Sequence, residues 1–173
     1  TILEKFNFAD WQETISVNLN GAFLCSKEAI PMLRASGGGS IINIGSTSSF
    51  FGTPLRSAYS ATKWALIGLT KTWAMEYGHE NIRVNAICPG SVNGPRIERV
   101  IKEEANERGT DPSVVKEAYL NQTSMQIFID SEEIVGMVKY LLSPVAKKVS
   151  VQAIAIDGHT ESLSQVRTAK ENS

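Results

Sequence analysis

Two cysteines, two histidines, no basic stretch and no long apolar run: these shortages bound the 173-residue sequence before any motif is read. Cys25 and Cys88 stand in different apolar segments without CxxC spacing, which excludes a disulfide framework and implies reduced structural thiols. His79 and His159 have no second histidine, cysteine or carboxylate at ligand spacing, so no metal site is expected. The 17 Lys and Arg against 18 Asp and Glu leave a formal net charge of -1. The basic residues are scattered singly, with Lys147-Lys148 the nearest thing to a cluster, so no nucleic-acid partner is expected. No apolar run approaches the ~18 residues of a membrane span, and the chain does not open on a basic and then apolar leader. The expectation is a soluble, cytoplasmic protein with no membrane partner.

What is present reads as one domain over residues 1–173, ordinary in composition at 42% hydrophobic and 20% charged. Apolar residues at helical spacing (Trp11, Ile15, Leu19, Phe23, then Ala29, Met32 and Leu33) predict a long helix over Phe8 to Arg34, with Asp10 near its start and a bend near Gly21. "ASGGG" stops it. "SIINIGS" follows as a buried strand. A helix over Ser57 to Tyr77, ended by Gly78, feeds "NIRVNAICPG", a second buried strand closed by Pro89-Gly90. Residues 93–126 turn polar and helical and read as a surface insertion. Ser131, with Glu133-Ile134 behind it, starts a helix to about Leu142, and "SVQAIAID" is a third strand before a polar tail. Helices alternating with strands apolar on both faces predict an α/β fold, a doubly wound parallel sheet with helices on both faces. Ligands then bind outside the carboxyl ends of the strands.

"SAYSATKWALIG" carries the chemistry. Tyr59 and Lys63, at i and i+4, share a helical face. A nearby ammonium favours phenolate over phenol, the direction in which a tyrosine can exchange a proton near neutral pH. Spacing alone also fits an amphipathic tyrosine beside a solvated lysine. Ser46 closes the preceding strand where ligands bind, as a turn residue or as a hydroxyl that could hydrogen-bond a carbonyl oxygen. Asn18, in mid-helix, is either a satisfied polar contact or the holder of a water that feeds protons to Lys63.

Together "ISVNLNGAF", "GSIINIGS", "YSATK", "IRVNAICPG" and "AIAIDG" make the chain resemble the short-chain dehydrogenase/reductase family from Asn18 to Gly158. The resemblance implies a Rossmann-like fold and a catalytic tetrad of Asn18, Ser46, Tyr59 and Lys63. It implies NAD or NADP as cofactor and an alcohol/carbonyl pair as small-molecule substrate. Tyr59 would exchange a proton with the substrate oxygen, Ser46 would polarise that oxygen, Lys63 would hold the nicotinamide ribose, and Asn18 would anchor a relay water. Cofactor contacts would come from Tyr59, Lys63, Pro89, Gly90 and Val92, with Val92 at the carboxamide and 93–126 as the substrate loop. The helices matching Phe8 to Arg34 and Ser57 to Tyr77 would build a homodimer or homotetramer.

Several features depart from that family. No Gly-rich strand-to-helix turn seats a pyrophosphate, and the segment that should precede Asn18 is absent. Three βα units, roughly 90 residues, are missing, so the sequence looks like the C-terminal two-thirds of the usual chain. The "SIINIGS" strand should then have an open, apolar edge. The rival reading is a truncated, inactive member serving as an oligomerisation or binding module. Gly94 stands where a threonine is usual, and Val151 and His159 stand where glycines are. A lone histidine such as His159 reads as a surface residue. Arg96 and Arg99 could meet an anionic group or form a solvated charged face.

Overall fold

The first long amphipathic segment folds as two helices joined by a wider turn. The Asn7 side chain accepts the Ala9 N–H at 2.8 Å and starts α1, Phe8–Ile15. A single π-helical turn, Ser16–Asn20, then interrupts the α-helical ladder before α2, Gly21–Ala35. The bend expected at Gly21 thus belongs to the five residues before it, while Asp10 stands in the first turn as expected. The computed structural model describes residues 2–160. The polar tail expected beyond Thr160 lies outside those residues.

Among the described residues three strands, β1 (Gly39–Ile44), β2 (Ile82–Pro89) and β3 (Ala153–Ile156), form one parallel sheet in the order β1-β2-β3. Ile41 pairs with Val84, Asn43 with Ala86 and Ile87 with Ile154. Side chains alternate between faces along a strand. From one face Asn43 donates to Thr70 of α3 (Ser57–Tyr77) at 2.8 Å. From the other, Arg83 donates to the Leu141 carbonyl of α6 (Ser131–Leu142) at 2.7 Å. Helices therefore cover both faces, as a parallel sheet requires.

β2 is the centre of the core. Ile82, Val84 and Ile87 are fully buried, each contributing about 1.5–3 kcal/mol. Against it α3 turns a stripe repeating every fourth residue, Ala58, Thr62, Leu66, Thr70 and Ala74, all buried. The two threonines spend their hydroxyls on their own helix, at Tyr59 O and Leu66 O, so polar residues fit an apolar face. Gly78 ends α3 as its C-cap, as the sequence predicted, in the right-handed conformation. The helix tightens into a 3-10 turn, Gly78–Glu80, and Asn81 adopts the left-handed conformation at φ 60.

Residues 93–126 form α4 (Pro95–Arg108) and α5 (Pro112–Leu120). They are more than a polar surface: Ile101, Ala105 and Val115 bury one another, with Ile97, Tyr119 and Phe128 packed around them. α6 is capped by Asp130, whose N–H donates to the Glu133 carboxylate at 2.8 Å. Among the described residues β1 pairs on one side only. A groove of about 430 Å³ runs along its open edge, lined by Val17, Ala22, Cys25, Ile42, Ile44 and Leu66, the apolar edge the sequence predicted.

Candidate active site

Both hydroxyls predicted to act together, Ser46 and Tyr59, line one cleft of about 730 Å³ beyond the carboxyl ends of β1 and β2. Ser46 reaches it because Gly45 lets the end of β1 lie tight against β2. A Cβ on Gly45 would stand 2.7 Å from Cys88 Sγ and 3.0 Å from Ser49 Oγ. Ser46 then caps a short 3-10 turn, Thr47–Ser49, its Oγ accepting the Ser48 N–H at 3.2 Å. That bond uses a lone pair, so the hydroxyl proton stays available to donate.

Tyr59 arrives from the first turn of α3. Ser49 ties the two walls together. Its Oγ accepts the Ser46 N–H at 3.2 Å and donates to the Lys63 carbonyl at 2.9 Å, with the side chain fully buried. Lys63 lies 5.5 Å from the Tyr59 ring centroid and donates to the Ile44 carbonyl at 2.8 Å. Burial draws its ammonium below the ordinary lysine pKa; Cys88 opposes that shift and the Arg96 guanidinium adds to it. Burial also pushes the neighbouring Cys88 thiol up, which keeps it protonated and inert.

Asn18 sits in the π-helical turn, where its Nδ2 donates to Thr62 Oγ1 at 3.4 Å. Thr62 passes the connection on by donating to the Tyr59 carbonyl at 2.7 Å. Asn18 lies on the β1-edge groove rather than in the large cleft. It meets the other three through Thr62 and the backbone.

Pro89 is buried at the end of β2, while Gly90 and Val92 line the cleft. The chain there is clamped on both sides. Gly90 N–H donates to the Ile156 carbonyl at 2.9 Å, and Asn93 N–H and the Ser91 carbonyl bond to Ile129, each at 2.8 Å. Gly94, at φ 136, is the N-cap of α4 and offers no side-chain cap, so the hydroxyl of a threonine has no substitute there.

The far wall comes from α4 and α5. Tyr119 donates to Glu104 at 3.0 Å, and Glu104 pairs with Arg108 at 2.5 Å. Burial and then the Glu104 charge push the Tyr119 pKa up to about 12. Thr62, Ser49 and Tyr119 were not singled out in the sequence. Only Thr62 left a signal there, as one of the small residues spaced four apart on α3. Among the described residues no group of three or more His, Cys, Asp or Glu could hold a metal ion, and no helix is long and apolar enough to cross a membrane.

A parallel sheet with helices on both faces, opening at its strand ends onto such a cleft, is a doubly wound, Rossmann-like layer. Comparison with known proteins makes the assignment specific. A family profile described as "Enoyl-(Acyl carrier protein) reductase" matches residues 2–159. D-beta-hydroxybutyrate dehydrogenase of Rhizobium meliloti is 36% identical over 157 residues, which cover 90% of this chain and 61% of that protein. Among solved structures, sorbitol-6-phosphate 2-dehydrogenase of Erwinia amylovora superposes with a TM-score of 0.86 at 28% identity, over 91% of this chain and 62% of the other. A 4-hydroxyisoleucine dehydrogenase solved with NADH gives 0.75 at 32% identity, over 92% and 63%. The chain belongs to the short-chain dehydrogenase/reductase family. It spans about three-fifths of the length of the curated relatives it matches.

Proposed function

We propose that this chain provides the proton-transfer half of an NAD(P)-dependent oxidoreductase that interconverts an alcohol and a carbonyl. The observation that carries the reading is the pair of hydroxyls, Ser46 and Tyr59, on one cleft with the Lys63 ammonium beside the tyrosine ring. Tyr59 exchanges a proton with the substrate oxygen, and Ser46 donates its free O–H to the same atom. Lys63 offsets the negative charge that develops on the phenol oxygen as its proton leaves. Asn18 holds a water on the side of Lys63 away from the cleft.

The donor set fits the nicotinamide-ribose end of a dinucleotide. Lys63 spends one of its three N–H donors on Ile44 O, which leaves two for a ribose diol. The backbone of Gly90 to Val92, fixed by Ile156 and Ile129, would form the face for the nicotinamide. When bound, the dinucleotide supplies or accepts the hydride. The 173 residues contain no Gly-rich turn for the pyrophosphate, so the fit is to NAD or NADP alike and to that end alone. The relatives printed as dehydrogenases, and the neighbour solved with NADH, support the reading.

The proposal includes a homodimer or homotetramer through the first two helices and α3, which expose Phe8, Trp64 and Met75. The second reading, an inactive binding module, is favoured by the open apolar edge of β1. Titration of the purified chain with NADH and with NADPH, followed by nicotinamide fluorescence, separates the two. Saturable binding of either supports the oxidoreductase; no binding of either at millimolar concentration contradicts it for this chain.

A further inference from the structure

Three arginines line the cleft and a fourth, Arg99, shares α4 with two of them, and the four divide into two kinds. Arg99 pairs with Glu103 at 3.9 Å, and Arg108 pairs with Glu104 at 2.5 Å, both along α4. Arg56, the residue before α3, and Arg96, in the first turn of α4, both line the cleft. Among the described residues neither of their guanidinium groups makes an ion pair or hydrogen bond. Of the acids on the same cleft, Glu103 and Glu104 are spent on those pairs, which leaves Glu107. On the lining itself Arg56, Arg96 and Arg108 balance Glu103, Glu104 and Glu107, so it is the Lys63 ammonium beside Tyr59 that makes the site net positive, in a chain whose formal net charge is -1.

Their placement is also specific. Arg56 precedes Tyr59 by one helical turn on the same wall. Arg96 faces it from the far side, close enough for its charge to act on Lys63, while the charge of Arg56 acts on Tyr119. Thr53, between Ser46 and Arg56 on the cleft wall, has a buried Oγ1 with no hydrogen-bond partner. Planar guanidinium groups are the donors that carboxylates and phosphates select.

We infer that the substrate of this site carries an anionic group, a carboxylate or a phosphate, held by Arg56 and Arg96 while its alcohol or carbonyl oxygen meets Tyr59 and Ser46. The position of the reacting oxygen rests on the oxidoreductase reading; the anion site stands without it. Both arginines are exposed at the mouth of the cleft, so the attraction weakens as salt is raised.

The test compares matched charged and neutral probes by calorimetry on the full chain. Levulinate is set against methyl levulinate, and dihydroxyacetone phosphate against dihydroxyacetone. At least one anion should bind on the order of tenfold more tightly than its neutral partner, about 1.4 kcal/mol. Which pair shows the preference tells carboxylate from phosphate. The double variant Arg56→Gln/Arg96→Gln should lose most of that preference, and Arg56→Lys/Arg96→Lys should restore part of it.

Equal binding of charged and neutral probes, or no binding of any, overturns the inference. So does an anion preference that survives the double variant. A double variant that loses NADH affinity but keeps the preference overturns it too, since the arginines would then serve the dinucleotide. If the anion preference holds and depends on the arginines but no hydride transfer occurs, the inference stands and the oxidoreductase reading fails. If dihydroxyacetone is reduced as well as its phosphate, the reading stands and the inference fails.

Discussion

Replacing Gly90 by alanine puts a methyl group where the chain has no room for one. The added Cβ would stand 2.9 Å from both Cα and Cβ of Asp157 and 3.3 Å from its carbonyl oxygen. Two of these three atoms belong to the backbone, so no rotamer change relieves the crowding. Asp157 is itself held, its carboxylate accepting the N–H of His159 at 3.0 Å and of Thr160 at 3.3 Å. The Gly90 N–H bonds to Ile156 O at 2.9 Å, so relief by separation would break the last link between β2 and β3. Overpacking of this kind costs about 1–3 kcal/mol. That predicts a fall in Tm of roughly 2–12 °C for a chain of this size, read by circular dichroism. Trimming the partner should help little: Gly90→Ala/Asp157→Gly removes the side chain of Asp157 but leaves its backbone against the new methyl group. A Gly90→Ala protein within about 0.5 kcal/mol of the parent, or full rescue by the second change, would refute the reasoning.

Two further outcomes follow from local geometry. Val151 is a β-branched residue at φ 69, held there by its N–H to Val84 O at 2.8 Å. The left-handed region costs an L-residue about 1–2 kcal/mol, and glycine gives back about 0.5–1 in unfolded-state entropy. Val151→Gly should therefore stabilise the chain by about 0.5–1 kcal/mol in urea unfolding; a loss of stability would show that its side chain contributes more than the strain removes. Tyr119, raised to about 12 from 10.0, favours the folded state through its neutral phenol. That contribution is complete below pH 10 and is lost between about 10 and 12. Of the four tyrosines, one should ionise late in an ultraviolet titration and be absent in Tyr119→Phe. Four matching transitions in the parent chain would contradict this.

The parts of the fold legible in the sequence are those fixed by neighbours along the chain. α3 and α6 begin and end where the pattern put them, Ser57–Tyr77 and Ser131–Leu142. The Tyr59 and Lys63 pair was visible because i and i+4 share a face in any helix. The π-helical turn at Ser16–Asn20 was not: its Asn18 meets Thr62, 44 residues along the chain, a contact no local pattern displays. Gly78 closes α3 where the pattern put it, but the 3-10 turn that follows and the reversal at Asn81 were not readable. Ser49 and Arg56 look like loop residues in sequence. Their places depend on how the 47–56 loop folds back on α3. Val151 and His159 were marked as departures from glycine, His159 also as a surface residue, and both prove to have positive φ, at 69 and 64. The departure was readable; the strain was not.

The central claim is that the Tyr59 hydroxyl is the proton donor and acceptor of a hydride-transfer site, and Tyr59→Phe tests it by removing a single oxygen. On this account the variant keeps most of the parent's affinity for NADH or NADPH, because, of the expected contacts, only the Tyr59 hydroxyl is lost, and Lys63 and the Gly90 to Val92 backbone are untouched. Its turnover of an alcohol or carbonyl substrate falls by at least about 10²-fold, the scale of general acid–base catalysis. Turnover equal to the parent's, at unchanged cofactor affinity, would contradict the account.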